Sequence, residues 1–186
     1  MHMKKSTWII LGIIAIILIW GVTSYNNFVG LNTATDNQWA QVETQYQRRF
    51  DLIPNLVAST QGVLKQEQKV FGDLAAARSK YAGAATVGEK VSAANEVEGA
   101  LGRLLVIVEN YPQLKSAETV QTLMAQLGGT ENRISVERKR FNDDVAALNA
   151  ATKRFPSSII AGIFGFSGRE YFQSAGGSEV APKVEL

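Results

Sequence analysis

The sequence predicts an all-α protein, a single N-terminal transmembrane helix followed by a long antiparallel helical bundle. Three observations predict it. Residues 8–22, WIILGIIAIILIWGV, run fifteen positions without a charge. From Trp39 onward the apolar residues recur at steps of three, four or seven. Further on, Val120, Leu127, Ile134, Phe141 and Leu148 stand seven apart. The first pattern is that of a helix in hydrocarbon, the other two those of helices that bury one stripe.

With Thr23, Ser24 and Tyr25 the apolar stretch reaches eighteen residues, near the lower end of the roughly 17–25 that cross a bilayer as a helix. Ile9, Ile10, Leu11, Ile13, Ile14, Ile16, Ile17, Leu18 and Ile19 supply its hydrocarbon. Trp8 and Trp20 stand toward the two interfaces, where an indole buries its ring and keeps its N–H wet. A cleaved signal peptide has a similar basic start and apolar core. Here no cleavage site as good as Ala-x-Ala follows, only Val22 and Ser24, so the reading is a retained anchor. Lys4 and Lys5 precede the span and the next basic residue is Arg48. The positive-inside rule then leaves the N-terminus in the cytoplasm and the bundle outside. The expected organisation is a short basic N-terminus at 1–7, a transmembrane helix at 8–25, a bundle at 26–173 and a mobile tail at 174–186.

About 150 residues follow the anchor, enough for one domain with a real core. Nineteen basic and seventeen acidic residues are interspersed, which gives no field suited to nucleic acid. With no cysteine there is no disulfide, thiolate metal site or thiol nucleophile, and the single histidine, His2, excludes a histidine triad or histidine metal site. Bundle di-metal sites combine Glu with Glu-x-x-His, so Asp51, Glu109, Glu131 and Glu137 make no such centre. The glycines of GIFGFSG lack a preceding strand and a phosphate-loop lysine. No catalytic constellation emerges, and no cofactor is expected.

The first bundle helix carries Trp39, Val42, Tyr46, Phe50, Ile53, Val57, Leu64, Phe71 and Leu74 on one face, with a kink expected near Pro54. It starts at an N-cap, Thr35 or Asp36, or else runs unbroken from the membrane. The small residues of YAGAATVG, 81–88, end it. A second helix bears Val91, Val97, Leu101, Leu104 and Val108 and stops at Tyr111-Pro112, because a residue before proline disfavours helical geometry. A third begins near Ser116, with Ser116 or Thr119 as cap and Glu118 at the positive helix start. Its five heptad positions suggest lengthwise packing in a bundle, although Gly128-Gly129 weakens a continuous rod. After Phe155-Pro156, SSIIAGIFGF forms a short apolar helix capped by Ser157 or Ser158. It either closes one end of the bundle or makes a second membrane or self-association contact through Ile159, Ile160, Ile163, Phe164 and Phe166.

Polar and charged residues interleave with the stripes: Gln45, Arg48, Arg49, Asp51 and Asn55 in the first helix, and Glu131, Asn132, Arg133, Glu137, Arg138 and Asn142 in the third. Most should be solvated. Arg48 and Arg49 cannot both face inward, since helical neighbours diverge by 100 degrees. An inward arginine paired with Glu131 or Asp51 would set the register between helices.

Four stretches together resemble the LemA family: WAQVETQYQRRFDLIPNLV (39–57), ENYPQLKS (109–116), ENRISVERKRFNDDVAALN (131–149) and FPSSIIAGIFGF (155–166). The resemblance runs from about Tyr25 to the end, and Arg48–Val57 is its most specific part. It implies a bacterial protein anchored in the inner membrane, with an antiparallel bundle as its soluble part and magnetosome relatives linked to membrane biogenesis. It assigns Arg48, Arg49, Asp51, Pro54, Asn55, Tyr111, Pro112, Glu131, Asn132, Arg140 and Asn142 to the family pattern, in structural or interface roles. Phe155, Pro156, Phe164 and Phe166 lie in the last matching stretch. The resemblance implies an extracellular N-terminus, opposite to the Lys4/Lys5 reading.

The expected function is a non-enzymatic, membrane-anchored scaffold that self-associates as a homo-oligomer or organises partners beside the lipid bilayer. The alternative is an adaptor for other membrane proteins, such as a membrane protease or envelope-stress system, using the charged faces around Arg48 and Arg138. An enzyme ranks last, without histidine or cysteine for the usual base or nucleophile.

Overall fold

A computed structural model describes residues 5–64 and 67–173. Lys4, with the Met-His-Met start, and the tail from Ser174 expected to be mobile lie outside the described residues. Among the described residues the chain is all-α, with helices α1 (Lys5–Thr60), α2 (Gln68–Gly83), α3 (Val87–Glu109), α4 (Pro112–Lys115), α5 (Glu118–Lys153) and α6 (Ser157–Phe164). They divide between two compact units. The first takes the chain up to Ala40 with Arg140–Tyr171, the second Gln41–Lys139 and the chain from Phe172.

Of the two beginnings expected for the first bundle helix, the unbroken one is found. α1 carries the apolar segment and the bundle stripe in a single helix of 56 residues. Neither candidate cap interrupts it. The Thr35 hydroxyl, fully buried, donates back to the Leu31 carbonyl at 2.8 Å, the bond of a mid-helix threonine, and Asp36 is turned to Arg169. Pro54 lies within α1, which continues to Thr60.

The expected single helix from Trp39 to about residue 80 is corrected to two. The Thr60 hydroxyl bonds the Leu56 carbonyl, and both Val63 N–H and Leu64 N–H turn back onto the Thr60 carbonyl at 3.0 Å. The steps Val57, Leu64 and Phe71, each of seven, fit a helix but say nothing of Gln61-Gly62 between them. Leu64 still reaches the core, from a turn. The stop at YAGAATVG holds: α2 ends at Gly83. A capping box starts α3, with Thr86 Oγ1 accepting from Glu89 N–H while the Glu89 carboxylate accepts from the N–H groups of Thr86 and Ala85. These amide bonds hold the Glu89 carboxyl below the usual carboxylate range.

α3 stops ahead of Tyr111-Pro112 as expected, but Pro112 opens a further short helix, α4, at whose C-terminus Ser116 stands. Thr119 falls inside α5, so neither cap candidate serves; Glu118 does occupy the first turn. α5 passes through Gly128-Gly129 without a break, and all five heptad residues are buried. Neither serine caps α6. Pro156 takes that position after a cis Phe155–Pro156 bond, and Ser157 Oγ instead donates to the carbonyls of Ala151 and Arg154.

In the first unit, Phe28 of α1, Leu148 of α5 and Ile160 and Ala161 of α6 form the core, with Trp20, Leu31, Ala151 and Phe166 against it. Phe166 stacks on Phe28 at 4.9 Å, and Trp39 meets Phe141 at 5.2 Å. The pairings Phe28 with Leu148 and Trp39 with Phe141 run α1 and α5 antiparallel. Gly165, at φ 74°, turns the chain out of α6. The segment after it is clamped by Asn149, whose amide nitrogen donates to the Arg169 carbonyl at 2.9 Å and whose oxygen accepts from Arg169 N–H at 2.7 Å.

In the second unit, Glu43 pairs with Lys90, Lys80 with Glu96, and Arg49 with Glu131. Lys80–Glu96 with Asp73–Arg103 place α2 antiparallel to α3, and Arg49–Glu131 with Tyr46 and Arg138 meeting on Glu98 place α5 antiparallel to α1, so the four long helices alternate up and down. Its core is lined by Val42, Tyr46, Phe50, Leu74, Val97, Leu104 and Leu127.

A Cβ on Gly168 would stand 2.6 Å from Asn149 Oδ1, an atom that cannot yield without giving up its bond to Arg169. Gly168→Ala is expected to lower the thermal midpoint, at a cost of ~1–2 kcal/mol in stability from a lost, half-buried bond pair. Gly129→Ala, on α5 with open space around it, should raise it by up to ~1 kcal/mol through helix propensity. Circular-dichroism melts of both variants check the pair.

Candidate functional site

Two arrangements stand out, one polar and one apolar. The polar one lies in the second unit, where α1, α3 and α5 bring Tyr46, Arg49, Glu98, Glu131 and Arg138 together. Arg49 is 5% exposed and forms an ion pair with Glu131. This is the inward arginine expected from the sequence, with Arg48 exposed beside it as the helix geometry requires. Glu98 is the hub. Its Oε1 accepts from Tyr46 Oη at 2.6 Å and from Arg138 Nη1 at 3.2 Å, and lies 4.0 Å from Arg49 Nη1.

Aromatic rings enclose this cluster. The Arg138 guanidinium sits 4.1 Å from the Phe172 ring centre, Phe172 stacks with Tyr46, and Tyr46, Phe50 and Tyr81 meet ring to ring. Low polarity around the Tyr46 hydroxyl, and then the negative charge of Glu98, push its pKa well up. Burial, and then Glu43, do the same for Tyr81. Both phenols therefore stay protonated, and Tyr46 is a fixed donor to Glu98. The half-buried Glu98 carboxylate, shared by two guanidiniums and a phenol, has its charge met, the condition for tolerating ions at the edge of a core. Its chemistry is positional: it offers neither a free base nor a nucleophile. Among the described residues no group of three or more His, Cys, Asp or Glu could hold a metal ion.

The other singled-out polar residues are dispersed. Arg48 and Asp51 of α1, with Gln126 and Arg133 of α5, border an open groove of about 420 Å3. Pro54, Asn55, Asn132 and Arg140 are exposed, Asn142 and Tyr111 half-buried, and Pro112 exposed at the start of α4. Sequence reasoning missed Glu98, because no charge on the second helix was weighed against the stripe beside it. It also missed Asn149 and Gly168, whose roles depend on a chain segment that returns after α6.

The apolar arrangement lies in the first unit. Trp8, Ile9, Ile10, Leu11, Ile13, Ile14, Ile16, Ile17, Leu18 and Ile19 are all exposed, and Trp20 is half-buried where α6 approaches. Among the described residues α1 is the one helix long and apolar enough to cross a membrane. Ile160 of α6 approaches Gly21, and Phe164 meets Tyr25 edge-on at 4.9 Å. Between α1 and α6 runs a groove of about 470 Å3 whose lining contains no charged residue.

Glu98→Ala strands the buried Tyr46 hydroxyl and Arg138, and is expected to cost ~2–4 kcal/mol in urea unfolding. Glu131→Ala, whose side chain is half exposed and which leaves Arg49 near Glu98, should cost ~1 kcal/mol or less. Because the folded pKa of Tyr46 is raised, its contribution to stability is intact below the unfolded value of about 10 and declines as pH rises above it. Melts from pH 8 to 11.5 should therefore fall more gently for Tyr46→Phe than for the parent.

A profile of the LemA family matches residues 38–186. Two relatives are magnetosome protein MamQ of Magnetospirillum gryphiswaldense, 30% identical over 174 residues, and magnetosome protein MamQ 2 of Paramagnetospirillum magneticum, 28% identical over 175. Each alignment takes in 80% of this chain and 64% of the relative, so the chain spans less than two thirds of the length of the relatives it matches. On the family match over most of its length, the chain belongs to the LemA family.

Proposed function

We propose that the protein is a non-enzymatic, membrane-anchored helical scaffold that self-associates or organises partners at the bacterial inner membrane. The single observation that carries this reading is α1, in which a wholly exposed apolar segment continues without a break into residues of the bundle core. A helix that exposes this much apolar surface is stable in hydrocarbon and a liability in water. The anchor confines the bundle to two dimensions and raises its effective concentration toward neighbours, which favours lateral or cyclic assemblies. Magnetosome relatives are compatible with a role in organising a membrane.

The polar cluster supports a structural rather than catalytic role, since each of its charged groups is committed to another. Lys4 and Lys5 favour a cytoplasmic N-terminus and a bundle on the extracytoplasmic side.

Two measurements test the proposal. After in-cell crosslinking and gentle solubilisation, the full-length protein is expected at the mass of a discrete homo-oligomer. A monomer crosslinked to a different membrane protein would replace scaffold by adaptor. The chain has no cysteine, so Ser135→Cys on the exposed face of α5 reports orientation. A membrane-impermeant maleimide should label it once the outer membrane, where there is one, is made permeable; labelling only after the inner membrane is opened would reverse the topology.

A further inference from the structure

The anchor accounts for the exposed apolar surface of α1, but not for that of α6. Ile160 and Ala161 close the core of the first unit, as the sequence allowed. Ile163 at 68% and Ile159 at 49% exposure point away from that core, while Phe164, past its contact with Tyr25, and Phe155, just ahead of the helix, remain 55% and 78% exposed. Four large apolar side chains facing water within ten residues are a cost no soluble fold needs to bear.

Their place in the unit decides what covers them. α6 lies along Ile17–Tyr25, the last turns of the apolar segment and the side from which the bundle emerges. Eighteen helical residues span only about 27 Å, against a hydrocarbon core of about 30 Å. Added beside that end, the exposed face of α6 continues the apolar surface of α1, and the uncharged groove between them has the chemistry of a hydrocarbon chain. From Phe155 to Gly168 the sequence has no charge, whereas Lys153 and Arg154, both exposed, stand immediately before it. An apolar surface with cations beside it is the pattern of a segment that enters hydrocarbon while its long basic side chains reach phosphates.

We infer that α6 is a second membrane element, a short helix immersed beside the end of α1 in the leaflet nearest the bundle, with a lipid acyl chain in the groove between them and Lys153 and Arg154 reaching headgroup phosphates. This rests on the reading that residues 8–25 cross a bilayer. It goes further in giving the protein a two-helix footprint that orients the first unit on the membrane, where a lone span would leave it free to tilt.

The test uses the full chain in vesicles of phosphatidylcholine and phosphatidylglycerol, with a nitroxide spin label on one introduced cysteine at a time. Ile163→Cys samples α6, Ile13→Cys the anchor and Ser135→Cys the exposed face of α5. All three side chains are exposed, so the fold is not at stake. Oxygen concentrates in lipid and a neutral nickel chelate in water. The oxygen-to-nickel accessibility ratio is expected to be several-fold higher at Ile163 and Ile13 than at Ser135. A lipid signature at Ile13 with nickel access at Ile163 would overturn the role of α6 and leave the anchor intact. Closure of Ile163 to both probes would also overturn it, in favour of burial against a second copy. Nickel access at Ile13 would remove the anchor and this inference together.

Discussion

The structure depends on the continuity of one helix, α1. Away from its ends and the step at Pro54 its peptide groups pair within the helix, so the same element suits both hydrocarbon, where no water can pair a free amide, and a packed core. What changes along it is only the side chains. Residues 8–19 are apolar on every face and exposed. Beyond them the apolar residues narrow to a stripe: Phe28 and Trp39 in the first unit, then Val42, Tyr46, Phe50, Ile53 and Leu56 in the second. A linker between anchor and bundle would have to pair its own exposed amides. Thr35, the residue best suited to start a new helix there, is spent on a bond back to Leu31.

The stripe explains burial but not register, because apolar contacts tolerate sliding by a turn. Register in the second unit is set by polar groups that have one fit. Glu98 meets Tyr46, Arg138 and the approach of Arg49, and Arg49 meets Glu131, joining α1, α3 and α5. Sliding any of these helices by about 5.4 Å would leave a buried charge without its partner, a penalty larger than the apolar contacts regained. A buried ionic group of this kind adds little net stability over a well-packed apolar one. Its contribution is to exclude the alternatives.

Much of this was legible in the sequence. The long apolar N-terminal helix, the heptad face of α5 and the stop before Tyr111-Pro112 rest on local composition and period, which a single chain displays directly. An inward arginine paired with Glu131 or Asp51 followed from placing two stripes side by side, and the structure selects Arg49 and Glu131. The break at Thr60 was not legible, since residues seven apart keep their phase across a short turn. Whether Thr35 or Asp36 starts a new helix was left open by the sequence for the opposite reason. Both residue types favour caps in isolation, and here a carbonyl four residues back and Arg169 take them. Glu98, Asn149 and Gly168 acquire their roles only from partners 20 to 52 residues away in the chain, or from a close approach no pattern encodes.

The measurement that bears most directly on this account is amide hydrogen exchange of the full-length protein in lipid nanodiscs, resolved across residues 20–45. A single helix running out of the bilayer into the bundle predicts continuous slow exchange through Asn26–Asn37, comparable with that of Val42–Leu56. A fast-exchanging stretch between Tyr25 and Trp39 would mean that anchor and bundle are joined by a flexible linker, and would contradict it.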